Sequence, residues 1–452
     1  MIRKAFAAAL LSGLFSTGAV AQQAPDAIAA ELAAMRTRIA ELEAEVAKLK
    51  APPPAPQSAV APSPPAAGAA AAAPPPSSSS GLTFKPFGRL QYDVGWVESP
   101  PGVSDRGLGF ATELRRGRIG AEGTIPGGFG YKIELDFADN DVEIVDAFLS
   151  YKPSDALALT LGQHNNFQSL EEVTSSRYLS FLERAAFTDA FGFERRVGLS
   201  ATLTSGDAIA QAGVFTDNIE DLSNAQDAAG LGDENNAVGL DGRVVYAPKL
   251  GGIQLHVGAS AHIRDTGDAA AFGPPVRYRQ RPFVHTSNTR FLATPNLAVE
   301  EETSYGLEAA AISGPFHATG ELHWLTAQTL IPGQKPTFFG GYAEAGWFLT
   351  GESRGYKGGR WDRTKVLKPV GKGGLGAFQV NLRYDYLDLA SDGVAGGTQS
   401  GYLAGLMWIP QDHVRFLLNY GRLQYEGAAP AAAGGDRHYA VEVVGARAQV
   451  DF

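Results

Sequence analysis

Beyond residue 81 the chain alternates apolar and polar side chains in segments of about ten residues, each ended by Gly, Pro or Asp. Leu90, Tyr92, Val94 and Trp96 point one way while Arg89, Gln91 and Asp93 point the other. Phe378, Val380, Leu382, Tyr384 and Tyr386 oppose Gln379, Asn381, Arg383 and Asp385 in the same manner. A period of two predicts strands, and sixteen segments carry it: 86–97, 112–125, 129–138, 142–151, 156–163, 196–204, 208–216, 237–247, 253–263, 303–312, 316–327, 339–350, 376–388, 400–409, 413–425 and 437–452. Links from even to odd segments are mostly tight, such as Pro126-Gly127-Gly128 and Ser205-Gly206-Asp207, whereas odd-to-even links are mostly longer. Soluble sandwiches also alternate. An even count, short turns on one rim, long loops on the other and aromatic residues at segment ends instead predict an all-β fold, a 16-stranded antiparallel transmembrane β-barrel. Its last strand ends on the aromatic Phe452, in phase with Val444, Ala446, Ala448 and Val450.

One link stands apart. Residues 163–195 form a long stretch between two short strands, and such connections inside a compact domain are usually functional. Its Phe167, Leu170, Tyr178, Leu179, Phe181, Leu182, Phe187, Phe191 and Phe193 disfavour solvent, so the stretch is expected to fold into the lumen as a plug or constriction. The alternative is an ordered external lobe with its own small core.

The N-terminus follows other periods. Arg3 and Lys4 precede an apolar run and Ala19-Val20-Ala21 supplies small residues for cleavage, so 1–21 reads as a signal peptide and the mature chain as exported. Over 22–50, Ile28, Leu32, Met35, Ile39, Leu42, Val46 and Leu49 keep a 4-3 spacing, the mark of a coiled-coil helix. Its Glu31–Arg36, Arg38–Glu43 and Glu45–Lys50 pairs favour a parallel homo-oligomer. The branched residues lean toward two strands, while Arg38-Ile39-Ala40-Glu41-Leu42-Glu43 resembles a short pattern of trimeric coils; three strands are expected. Residues 51–80, rich in Ala, Pro and Ser, read as a linker before the barrel domain at 81–452.

Composition narrows the chemistry. There is no cysteine, which excludes disulfides and thiolate metal sites. The eight His are scattered, so no metal and no cofactor are expected. A formal charge of −10 argues against nucleic acid as a partner. No Gly-x-Ser-x-Gly occurs and no catalytic group emerges from spacing, so no enzyme is expected.

Against the acidic total, two segments are basic. Residues 277–290 hold Arg277, Arg279, Arg281 and Arg290 without a carboxylate, and 351–372 hold Arg354, Lys357, Arg360, Arg363, Lys365, Lys368 and Lys372 against Glu352 and Asp362. Lining a lumen, such segments would select solutes by sign; outside it, they would meet lipopolysaccharide phosphates or periplasmic anions. Strand phase turns Arg89, Arg116, Arg118, Arg196, Arg243, Arg383, Arg415 and Arg447 inward, together with Asp93, Glu122, Glu134, Asp136, Asp241 and Asp385 that would pair with them.

Several blocks carry a resemblance. Thr174-Ser175-Ser176-Arg177, Leu114-Arg115-Arg116-Gly117-Arg118-Ile119-Gly120, Tyr342-Ala343-Glu344-Ala345-Gly346-Trp347 and Val380-Asn381-Leu382-Arg383-Tyr384-Asp385-Tyr386 resemble the phosphate-selective porin O/P family, over nearly all of 84–452. The resemblance implies a trimer of sixteen-stranded barrels in the bacterial outer membrane, an arginine-lined lumen and inward-folded constricting segments. Arg177 matches a basic position of the family's third loop, and Arg116 and Arg118 fall in its arginine-rich second strand. The chain departs in carrying Glu171-Glu172 near that loop and no dense lysine group.

The expected function is therefore a passive outer-membrane channel for inorganic anions and small solutes, anion-preferring, with phosphate or polyphosphate as candidates. Its expected site comprises Arg177 and Arg184 at the constriction, Arg116, Arg118, Arg383 and Arg415 along the wall, and Arg354, Lys357, Arg360 and Lys365 near the inner mouth. The alternatives are a non-selective general porin and an envelope tether, whose coil and linker would contact the cell wall while the barrel anchors it.

Overall fold

The computed structural model describes residues 81–220, 236–271 and 275–452; the leader, coil and linker expected before the barrel lie outside the described residues. Sixteen antiparallel strands form the barrel: β1 Lys85–Val97, β2 Gly109–Ile125, β3 Phe129–Asp136, β4 Glu143–Tyr151, β5 Leu157–Asn165, β6 Arg195–Ser205, β7 Ala208–Phe215, β8 Val238–Tyr246, β9 Ile253–Asp265, β10 Val299–Ser313, β11 Phe316–Thr329, β12 Thr337–Phe348, β13 Ala377–Ser391, β14 Val394–Gln411, β15 Val414–Glu426 and β16 His438–Asp451. Each pairs with its neighbours in chain order, and β16 returns to β1, from Arg89 opposite Asp451 to Val97 opposite Val443. Closure leaves no edge strand, so every ladder N–H and C=O has a partner without water, which a lipid environment demands. The sixteen alternating segments of the sequence are these strands, each displaced by a few residues at most of its ends.

The seam is finished by the last residue. The Phe452 and Gly88 backbones exchange hydrogen bonds of 3.0 and 3.1 Å, and the Phe452 ring lies over Gly88, where a Cβ would come within 2.6 Å of it. Glycine there is a condition of the closing contact.

Outside, the alternation puts aromatic and aliphatic residues toward lipid. Phe316 stacks on Trp347 at 5.5 Å, Trp408 on Phe416 at 5.4 Å, and Trp324 meets Phe339 at 5.2 Å, pairs that build interfacial girdles. Inside, the pattern departs from an empty tube. Gln379, Asn381, Arg383 and Asp385 of β13 are all buried, although a sixteen-stranded barrel has room for an aqueous channel. Something fills the lumen against β10–β16 and β1. On the opposite wall, Ser150, Thr160, Thr202 and Gln211 retain solvent exposure. These inner residues with solvent contact lie on β4–β7.

The phase of β10 is testable. Leu307 is 53% exposed and faces outward near mid-strand, while its neighbour Glu308 is buried inside. Leu307→Arg should lower unfolding free energy in lipid vesicles by about 2–4 kcal/mol, the usual penalty at the bilayer midplane; a loss below about 1 kcal/mol would contradict the outward assignment.

Candidate functional site

The filling comes from three links. The 166–194 loop is broken into short turns by its own capping residues: the Ser169 hydroxyl accepts the Glu172 N–H at 3.2 Å, and Ser175 caps a second turn at Ser176–Tyr178. A third turn follows at Ala186–Ala190. Turns this short leave backbone groups without intrahelical partners, and inside a barrel the wall must supply them. Glu321 of β11 accepts the N–H groups of Leu170 at 2.8 Å and Glu171 at 2.9 Å, and is itself held by the Tyr342 hydroxyl at 2.8 Å. Asp385 of β13 takes the Ala186 N–H at 3.2 Å, and the Asn419 side-chain oxygen takes that of Leu182 at 2.8 Å. In the other direction Arg415 donates to the Leu179 carbonyl at 2.9 Å and Arg447 to that of Leu182 at 2.7 Å.

The apolar side of this loop packs as a core. Phe181, Leu182, Ala185, Phe187, Phe191 and Phe193 are buried. Phe187 stacks on His323 at 4.5 Å and crosses Gly340 so closely that a Cβ there would lie 2.4 Å from its own. From the same rim, 275–298 adds Tyr278, Phe283, Phe291 and Leu292 to the same cluster. Tyr278 donates to Glu302 at 2.6 Å and Phe291 stacks on Tyr425 at 5.2 Å. From the short-turn rim, 349–376 folds inward as a ribbon, Gly355–Lys357 against Arg360–Asp362. Its tip reaches β8, where Arg243 donates to the Gly359 carbonyl at 2.9 Å. Trp361 packs with Leu170, Ala310 and Ile312, and its N–H reaches the Thr174 hydroxyl at 3.3 Å. The 355–362 ribbon of the second basic segment and the 278–292 part of the first thus pack inside the barrel, while the Val370 N–H donates to the Pro410 carbonyl at the short-turn rim.

The ten candidate residues divide by partner. Arg118 pairs with Asp136 at 2.7 Å, Arg184 with Glu172 at 3.1 Å, Arg354 with Glu344 at 3.1 Å, and Arg383 with Glu344 at 2.7 Å and with Glu171. Arg184 is further tied to the Glu171 and Thr174 carbonyls, both at 3.0 Å, and so braces the loop. Arg177 donates to the Ser175 hydroxyl at 3.2 Å and lies 3.9 Å from Asp451. Arg116 hydrogen-bonds Gln91 at 2.9 Å and Arg415 binds backbone carbonyls. Neither forms an ion pair among the described residues. Lys357, Arg360 and Lys365 likewise form none there and are exposed.

Along the wet wall, phase reading undervalued two cations. Lys132 pairs with Glu134 at 2.9 Å and with Asp146, and Arg195 pairs with Asp146 at 2.7 Å. Lys132 shares the inward phase of Arg118 in the neighbouring strand, which was the available signal. Arg195 sits at the start of β6 beside inward Arg196, so alternation alone would turn it out. Glu122 is different again: its side chain is 47% exposed and meets Lys85 at 3.6 Å.

Charge on the inserted loop follows its neighbours. Burial pushes the Glu183 carboxyl up, but Arg115 at 3.0 Å and Arg447 at 2.9 Å hold it well below the usual range. Burial raises Glu171 and Glu172 despite Arg383 and Arg184 beside them. Among the described residues no group of His, Asp and Glu has the arrangement of a metal site.

Known proteins place this architecture. The family model described as phosphate-selective porin O and P matches residues 84–452. A protein of Caulobacter vibrioides is 55% identical over 370 residues, 82% of this chain and 74% of its own length. Porin O of Pseudomonas aeruginosa is 26% identical over 385 residues, 75% of this chain and 82% of that one. Among solved structures, the outer-membrane protein OmpT of Vibrio cholerae in its trimer form is similar in fold, with a TM-score of 0.51 at 11% identity, covering 82% of this chain and all of that one.

The wall-to-loop bonds make a prediction. Glu321→Ala leaves two buried N–H groups without acceptors, each worth about 1–3 kcal/mol, and should loosen the 166–194 loop while the barrel stays closed. Folded protein treated with trypsin should then be cut after Arg177 or Arg184, which the parent resists; equal resistance would show that Glu321 does not hold the loop.

Proposed function

The chain belongs to the phosphate-selective porin O and P family of outer-membrane porins, and from that membership we propose that it conducts small solutes passively with a preference for anions, phosphate or polyphosphate being the candidate solutes. The observation that supports this is the set of cations that form no ion pair among the described residues. Lys357 and Arg360 are exposed on either side of a ribbon tip that crosses the lumen to Arg243. Of the charged groups around Arg360, Asp362 on its own ribbon acts on it most strongly, followed by Arg243, Asp146 and Arg177. Lys365 adds charge at the same periplasmic mouth, the short-turn rim of such barrels, and Arg116 and Arg415 contribute positive potential from the wall. Field lines from these groups concentrate in a narrow low-dielectric passage and raise the local anion concentration.

The path itself is asymmetric. A solute passes between β2–β7 and the three inserted segments, where Arg118, Lys132 and Arg195 pair with Glu134, Asp136 and Asp146 and Arg116 forms no ion pair among the described residues. In this reading the assembly is a homotrimer, as the family suggests and as the trimer form of the Vibrio cholerae barrel illustrates for a similar fold. Lipopolysaccharide surrounds the outer rim. A part for residues 22–80 in reaching the cell wall belongs to the same proposal.

A second reading has an observation of its own. Arg118, Arg184, Arg354 and Arg383 are each neutralised by a carboxylate, so a general porin of weak sign preference follows if the exposed mouth cations are screened by salt.

Planar bilayers under a KCl gradient separate the two. The parent channel should reverse on the anion side and lose current when phosphate is added. Lys357→Glu with Arg360→Glu and Lys365→Glu should move reversal to the cation side; a parent reversal near zero would favour the general porin.

A further inference from the structure

Above the inserted loop, toward the long-loop rim, lies a cavity of about 240 Å³ that the anion path does not account for. Arg115, Arg184 and Arg281 line it together with Glu172, Glu183 and Asp189. Both signs line it, three guanidiniums and, with Glu194, four carboxylates. Glu194 and His285 complete its edge and are engaged elsewhere, with Arg196 at 3.1 Å and Glu113 at 2.9 Å. Part of its floor is apolar, from Phe193 and Phe283.

A lone anion entering this cavity meets carboxylates beside the guanidiniums, and a lone cation meets guanidiniums beside the carboxylates. A solute bearing both charges on one compact body meets a complement for each. Two lining groups keep unused capacity to answer it. Arg281 donates to Asn288 at 3.0 Å but sits 3.8 Å from Asp189, looser than a hydrogen-bonded ion pair, and its buried Nε has no hydrogen-bond partner among the described residues. Asp189 is 39% exposed, the most open carboxylate among those three, yet held in place by the Arg281 N–H at 2.6 Å and by Arg290 at 3.1 Å. The other pairs are as close as Arg290 with Asp189 but their carboxylates are more covered: Arg115 with Glu183 at 3.0 Å and Arg184 with Glu172 at 3.1 Å. Those pairs shape the walls, while Arg281 and Asp189 supply the contacts.

We propose that this vestibule is a binding subsite for zwitterionic solutes of amino-acid type, the solute carboxylate on Arg281, its ammonium on Asp189 and its apolar body against Phe193 and Phe283. The volume suits a single amino acid and excludes a folded peptide. The subsite precedes the basic mouth on the inward path, so it widens the range of solutes the channel takes up beyond simple anions.

Current noise of the full-length channel in planar bilayers tests this, with the probe added on the long-loop side. The probes are L-phenylalanine, 3-phenylpropionate, which lacks the ammonium, and phenethylamine, which lacks the carboxylate. L-phenylalanine should block at a concentration at least about tenfold below either analogue. Asp189→Asn should bring it to the level of 3-phenylpropionate, and Arg281→Gln to that of phenethylamine. Open-channel conductance of each variant shows that its barrel has assembled, and the KCl reversal potential reports anion preference separately. Equal block by 3-phenylpropionate would mean an anion site only and overturn the proposal. Absence of block, or block unchanged in both variants, would overturn it as well.

Discussion

A loop brought inside a sixteen-stranded barrel must find partners for its backbone in a place that water reaches poorly, and that requirement governs the rest of this molecule. The 166–194 loop meets it by placing N–H groups on wall carboxylates and carbonyls on wall guanidiniums. Glu321, Asp385 and Asn419 accept from it, and Arg415 and Arg447 donate to it. Charged acceptors make these bonds stronger than neutral ones, about 1.5–3 kcal/mol each. Removing one partner of a buried pair strands the other, at about 3–5 kcal/mol. The loop is therefore as much a part of the barrel interior as the strands are.

Two consequences follow for transport. Because the loop and the 275–298 segment pack chiefly against β10–β16 and the ribbon tip reaches across to β8, the lumen is narrowed to what these segments leave open. And because so many wall arginines are occupied in holding the loop, sign preference is left to the minority without carboxylates. Arg383 has Glu171 and Glu344, and Arg447 has Asp93 and Glu183, so both act as structural ties. Lys357 and Arg360, exposed on a ribbon tip, are the groups proposed to act on the solute. Counting arginines on the inner face would mistake the first kind for the second.

Strand number, phase and rim polarity were legible in the sequence because lipid on one side and a mixed interior on the other impose a strict period of two. The apolar content of 166–194 likewise pointed inward, since Phe187 or Phe191 has no stable home in water. Pairing was not legible. Whether Arg415 meets a carboxylate or a carbonyl depends on where the loop crosses the wall, and Arg195 enters the lumen only because its strand is still turning at its first residue. The vestibule escaped notice for the same reason: Arg281 and Asp189 are 92 positions apart along the chain, on two loops whose meeting is set by the apolar cluster beneath them.

Hydrogen–deuterium exchange of the folded protein tests most directly whether the loop is locked to the wall. Amides of Leu170, Glu171, Leu182, Ala185 and Ala186 should be protected on the timescale of the barrel strands, because opening any of them exposes several charged bonds at once. Exchange as fast as that of the exposed turn around Gly206 would contradict the account, since a loop that loose could set neither the width nor the sign of the passage.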